Sequence, residues 1–332
     1  MRRIFFILAT TAVALVLLAA GLETLARLSG ATAWQPTAPN ITVEPGGRLY
    51  ERDALLGYRY LPGKYRVVLS GRHAFTMTHD ANGRRVTSGQ TGMPGDSKEV
   101  WILGCSFTHG WSVNDSETYP WLLQEQFPQY DIVNFGVGGY GTIHSLLQFE
   151  QAIKTREPPV AVVVAYAYFH DERNVFSRYR QKVAANWSYF GPLVQPFGRV
   201  DANGDLQIEM ASTEFREFPL MRWSALSSLL EQKYSAYHDG QLEGRVVTEA
   251  ILRRLKEDTR AHGIPLLIAE IDGQSGIAVF ARKNEIAYTD MSVNLNTPGA
   301  RNFPFDPHPT ARTHREYARK LGTALRPLLE GQ

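Results

Sequence analysis

The chain has little of what disulfide scaffolds, metal clusters or nucleic-acid surfaces require. One cysteine, Cys105, stands among 332 residues, so an internal disulfide is excluded and packing must hold the fold. No Cys/His cluster has zinc spacing, and no metal is expected. Lysine and arginine number 35 against 33 acidic residues, a net charge of +2. No long basic run occurs either, and a nucleic-acid partner is not expected without clustered positive charge. Internal repeats and low-complexity tracts are also missing.

Against this plain background the N-terminus stands out. Ile4 to Leu22 is an apolar run of 19 residues without a charge, close to the roughly 20 that cross a bilayer as a helix. Arg2 and Arg3 precede it, which by the positive-inside rule keeps the N-terminus cytoplasmic and places the remaining chain across the membrane. Ala31-Thr32-Ala33 resembles a signal-peptidase site but lies well past the apolar core, and that core exceeds a usual signal h-region. The reading is an uncleaved signal anchor over residues 1–30, with the C-terminal domain extracytoplasmic.

Residues 31–47, rich in Pro, Thr and Gly, read as a linker. Short extended pieces follow at 57–61, 65–69 and 75–78, separated by Pro-Gly and Asn-Gly turns; with the linker they form an expected β-rich subdomain over 31–98. Residues 88–98 read as a polar loop. From residue 99 to the C-terminus strands and helices alternate, as a parallel sheet with helical crossovers requires. Strands are expected at 100–103, 131–135, 159–168, 266–271 and 285–290, and helices at 116–127, 142–154, 245–261 and 310–329. An aromatic insertion is expected at about 176–240.

Three segments carry chemistry. Val100-Trp101-Ile102-Leu103 is a buried strand that stops at Gly104, which puts Ser106 on a tight turn past the strand's carboxyl end, where open α/β sheets bind ligands. A helix begins there, so nearby amides are free to donate. Gly136, Gly138 and Gly141 match G-x-G-x-x-G. The acidic residue that a dinucleotide site needs about 20 positions later is missing, however. The alternatives are a backbone amide set beside Ser106 for an oxyanion, or close helix–strand packing. Third, Asp306-Pro307-His308-Pro309 spaces a carboxylate two residues from an imidazole on a proline-braced loop, either as an orienting pair or as a helix start.

Together these segments resemble the SGNH (GDSL-like) hydrolases from Val100 to the C-terminus. Gly104-Cys105-Ser106-Phe107-Thr108-His109-Gly110 is similar to the block G-D-S-x-T-x-G, with cysteine for aspartate. Asn134-Phe135-Gly136-Val137-Gly138-Gly139-Tyr140-Gly141 is similar to the glycine block, and Asp306-Pro307-His308-Pro309 to D-x-H-P. The resemblance implies a flavodoxin-like α/β/α sandwich over residues 99–332 and an ester-cleaving enzyme without a cofactor. It implies Ser106 as nucleophile, His308 as base, Asp306 as its orienter and the Gly139 amide in the oxyanion hole. The family's usual oxyanion asparagine, in G-x-N-D, is matched here by His170 in Tyr168-Phe169-His170-Asp171. His170 or, four residues on, Asn174 is therefore the expected side-chain donor. The expected function is a membrane-anchored extracytoplasmic serine esterase acting on a small-molecule or glycan ester, with an O-acyltransferase and a silent carbohydrate-binding or assembly protein as alternatives.

Overall fold

The computed structural model describes residues 2–37, 40–89, 98–186, 191, 193–273 and 275–330. Most of the expected loop 88–98 lies outside the described residues. The chain divides into two compact units. The larger comprises Asn40–Phe176, Tyr189–Thr213 and Glu243–Gln332, and the smaller Met1–Pro39, Ser177–Ser188 and Glu214–Leu242.

The larger unit is built on a five-stranded sheet whose strands all run parallel. Across the sheet they lie in the order Ala287–Asp290, Leu266–Glu270, Ala161–Tyr166, Glu99–Leu103 and Asp131–Asn134. Numbered along the chain this is 5-4-3-1-2, the flavodoxin-like order, whose direction of winding reverses between the first and third strands. Both faces are covered, because successive strand side chains point to opposite sides. Val100 and Ile102 pack under the helices Tyr119–Gln126 and Ala311–Glu330 through Leu123, Tyr317 and Leu321. Trp101 and Leu103 meet Thr142–Ala152 and Gly244–Ala261 through Leu146, Phe149, Ile251 and Leu255. The result is the expected three-layer α/β/α architecture.

The β pieces belong to the same unit. Ile41–Glu44, Gly63–Leu69 and His73–His79 form an antiparallel sheet, and Tyr50–Asp53 pairs with Gly57–Tyr60. Their buried side chains, Tyr58, Tyr60, Val67, Phe75 and Met77, share a core with Trp111, Val137 and Tyr140 from the parallel-sheet domain. The expected insertion divides between the units. Its hairpin, Val194–Val200 with Leu206–Ser212, belongs to the larger one, where Gly198 lets the backbone approach Val247 and Ile143 so closely that an added methyl would overlap Val247.

In the smaller unit the helix Arg2–Leu28 is long and apolar enough to cross a membrane, and its apolar side chains, such as Phe5, Leu15 and Leu18, are exposed. Among the described residues its contacts lie in its last turns. Ala26 is buried, and Glu23 joins the start of the helix Ala225–Gly240. Residues expected as linker also pack: the Trp34 amide donates to the Met221 carbonyl at 2.9 Å and its ring meets Phe215.

Candidate active site

Ser106 opens a helix of one turn, Ser106–His109, directly after the strand Glu99–Leu103. This is the point where the sheet's winding reverses, so the serine faces the crevice that such sheets offer to ligands. Gly110, in the left-handed conformation at φ +80°, ends the turn. As the first helical residue, Ser106 has an amide with no helical carbonyl to bond.

The loop carrying Asp306 and His308 meets that serine. His308 Nε2 lies 2.9 Å from Ser106 Oγ, and His308 Nδ1 lies 2.6 Å from Asp306 Oδ1. A carboxylate only accepts, so Nδ1 carries the proton and Nε2 of the neutral ring is the acceptor for the serine hydroxyl. The carboxylate is held in place by the His308 backbone amide at 2.8 Å and by the Trp111 indole N–H at 3.2 Å. Burial pushes the Asp306 carboxyl upward, but the bond and charge of His308 outweigh it, and the carboxyl sits below its usual range. The loop is itself braced: Asn302 donates its backbone amide to the His308 carbonyl and its side-chain N–H to the Pro309 carbonyl. Phe107, against the His308 ring at 5.5 Å and Phe169 at 5.7 Å, lines the crevice.

The glycine turn forms the other wall. A methyl at Gly136 would lie 2.3 Å from the His109 backbone nitrogen, so only glycine lets this turn approach the Ser106 helix. A methyl built at Gly138 would reach the Ser106 Cβ at 4.0 Å and the Tyr60 and Tyr50 hydroxyls at 3.1 and 3.2 Å. Tyr58 donates to the Gly138 carbonyl at 2.6 Å. In a planar trans peptide the Gly139 N–H points the opposite way, and Gly139 adopts φ +84°.

These tyrosines are the residues that sequence reasoning missed. Tyr50 donates to Tyr60 at 3.0 Å and stacks on it at 4.5 Å, and Tyr60 in turn stacks on His109 at 4.2 Å. Burial raises both phenols above their usual range, so both remain protonated. Behind them His79 Nδ1 faces the Leu61 carbonyl at 3.0 Å and must carry a proton; its Nε2 then accepts from His109 Nε2 at 2.9 Å. The His109 Nδ1 is left as a buried lone pair without a partner among the described residues. Burial and the nearby Arg85 charge hold both rings neutral, lowering His79 to about 3. Arg85, wholly buried, donates to the carbonyls of Gly110, Val113 and Thr76 and pairs with Asp115 at 2.9 Å. It thereby ties the strand His73–His79 to the end of the serine's helix. The only advance signal was the run of tyrosines at 50, 58 and 60, an unusual density for a solvated β piece.

His170 and Asn174 sit elsewhere in the site. The Asn174 side chain accepts from the Ile143 amide at 2.9 Å and donates to Thr248 at 2.7 Å, which caps the helix after the glycine turn. His170 is buried beside Thr142, with Nδ1 at 3.5 Å from its hydroxyl and Nε2 without a partner among the described residues. Burial holds this ring neutral too. Among the described residues neither side chain is bonded to Ser106, and Asn174 braces the start of the helix after the glycine turn. Likewise, among the described residues no group of His, Cys, Asp and Glu side chains is disposed to hold a metal.

No family model and no curated protein matches the chain. Some solved structures resemble the chain in part. A lipolytic protein of the G-D-S-L family from Desulfitobacterium hafniense DCB-2 is 14% identical, with a TM-score of 0.40 over 69% of this chain and 100% of that one. AlinE4, an SGNH-hydrolase family esterase, is 15% identical at a TM-score of 0.36, over 71% and 99%. A G-D-S-L family lipolytic protein from Veillonella parvula DSM 2008 is 12% identical at 0.36, over 68% and 96%.

Proposed function

We propose that this chain is a serine hydrolase of the SGNH type that cleaves esters through Ser106, His308 and Asp306. The observation that carries the reading is the hydrogen-bonded run from Ser106 Oγ to His308 to Asp306, at 2.9 and 2.6 Å. In the proposed reaction His308 Nε2 takes the serine proton as Oγ attacks the ester carbonyl, and Asp306 stabilises the imidazolium that results. The amides of Ser106 and Gly139 receive the developing oxyanion, each such donor being worth roughly a hundredfold to a thousandfold in rate. His308 returns the proton to the leaving alcohol, and a water, deprotonated by the same ring, releases the acid. Tyr58, Tyr60 and Tyr50 hold the Gly138–Gly139 peptide in its orientation and act as positioning residues.

The helix Arg2–Leu28 is proposed to anchor the enzyme, with Arg2 and Arg3 on the cytoplasmic side and the hydrolase domain on the other. Intact-mass analysis after fluorophosphonate treatment tests the chemistry: one adduct on Ser106, lost in Ser106→Ala together with hydrolysis of p-nitrophenyl acetate, is the expected result. Unchanged turnover in that variant would refute the assignment. Protease protection of the domain in sealed vesicles tests the orientation.

A further inference from the structure

The helix Ala225–Gly240 of the smaller unit has its amphipathicity inverted. Its buried positions are Ala225, Ser228, Glu231 and Ser235, all small or polar. Glu231 is fully enclosed, paired with Lys182 and with Arg178 at 3.3 Å, and accepts from the Ser235 hydroxyl at 2.5 Å. The large apolar side chains point outward instead. Leu230, Tyr234 and Tyr237 are 54%, 46% and 70% exposed, and Trp223, just before the helix, is 72% exposed. Within the helix, half-buried Leu226, Leu230, Tyr234 and Tyr237 recur every three or four residues, so at ~100° per residue they fall within about 80° of arc. A soluble surface would not gather such a stripe without something to cover it.

What covers it is indicated by where the stripe starts. Glu23, one residue past the apolar run of Arg2–Leu28, accepts from the Ser224 hydroxyl at 2.7 Å and from the Ala225 and Leu226 amides at 2.9 Å each. A carboxylate at a helix N-terminus also offsets the helix dipole. One turn later Arg27 donates to the Trp223 carbonyl at 2.9 Å. The stripe is therefore continuous with the apolar helix at the level where tryptophan, tyrosine and arginine collect at a membrane surface. Leu220, 65% exposed in the preceding turn, extends it.

We infer that Trp223, Leu226, Leu230 and Tyr237 form a lipid-binding stripe that lies in the headgroup layer of the membrane entered by Arg2–Leu28. The helix Ala225–Gly240 thus rests on the bilayer as an interfacial helix. The inference depends on the proposed anchor, and its test separates the two.

The full chain is reconstituted in vesicles of phosphatidylethanolamine and phosphatidylglycerol. Spin labels are placed by Leu230→Cys, Tyr237→Cys, Gln232→Cys and Val13→Cys, the native Cys105 being buried. Collision with oxygen is then compared with collision with a water-soluble nickel chelate. The expected result is oxygen-favoured collision at 230 and 237, several-fold above the exposed Gln232 on the far side of the helix. Aqueous behaviour at 230 and 237 with Val13 in lipid overturns the stripe and leaves the anchor standing. Protection of 230 and 237 from both reagents also overturns it, and points to a protein cover. Aqueous behaviour at Val13 removes the anchor and the stripe with it.

Discussion

Two consecutive helices, Ala225–Gly240 and Gly244–Ala261, show how far a helical period can be trusted. In the second, Val247, Ile251, Leu252 and Leu255 are buried against the sheet while Arg254, Glu257 and Arg260 face solvent, as the pattern of apolar residues foretells. In the first, Leu230 and Tyr237 recur with similar regularity but lie outside, and the side buried within the unit carries Ser228, Glu231 and Ser235. Periodicity announces that a helix has an apolar side. It does not say whether protein or something else meets that side.

If this contrast is right, chemistry and stability reside with the inward-packed elements of the larger unit, and the outward stripe contributes to neither. The largest expected effect is from Asp306→Asn, which leaves the His308 ring without its orienting charge and should lower kcat/KM for p-nitrophenyl acetate by about a thousandfold to ten-thousandfold. Co-sedimentation of the same variant with vesicles should be unchanged, and a parallel loss of both would break the division. Next comes Ile251→Ala, expected to cost about 2–5 kcal/mol in urea unfolding, because the side chain is enclosed and the cavity cannot refill.

A smaller effect in the larger unit depends on pH. The His79 ring, usually near 6.5, is lowered to about 3 by burial and by Arg85. The unfolded chain therefore binds this proton first as pH falls, so the stability it represents is complete above pH 6.5 and is lost progressively toward pH 3. Replacing it by His79→Gln should flatten the fall of stability between pH 6 and 4, by roughly one proton's worth of slope, read from urea midpoints across that range. The smallest effect is expected of Leu230→Ala, within about 0.5 kcal/mol of the parent in the same unfolding measurement. A cost comparable to that of Ile251→Ala would mean that the stripe is packed against protein.

Much of the larger unit was legible in the sequence because its signals are local. The strands Glu99–Leu103 and Ala161–Tyr166 are continuous apolar runs, and Ser106, Asp306 and His308 stand in the short motifs that carry the family resemblance. Observed elements differ mainly at their ends, as for the strand expected at 159–168 and found at Ala161–Tyr166. Less legible was whatever depends on partners distant in the chain. A polar cluster such as His170 and Asn174 declares only that it needs partners, and Asn174 found Ile143 and Thr248. Tyr60 read as a strand residue, yet its hydroxyl reaches the glycine turn, and Arg85, which no sequence motif singled out, lies fully enclosed. The strands Ile41–Glu44 and Tyr50–Asp53 carry too few apolar residues to be seen without the sheets they complete.

The bond from Ser224 to Glu23 joins residues 201 positions apart, and this has a consequence for biogenesis. The first helix emerges from the ribosome long before its partner, so Glu23 waits for the chain to extend through Ala225. At ordinary rates of synthesis this delay is roughly ten to forty seconds. During it the carboxylate has no cap to make and the smaller unit cannot close, and slowing translation between residues 30 and 220 should lengthen its exposure to proteases in proportion.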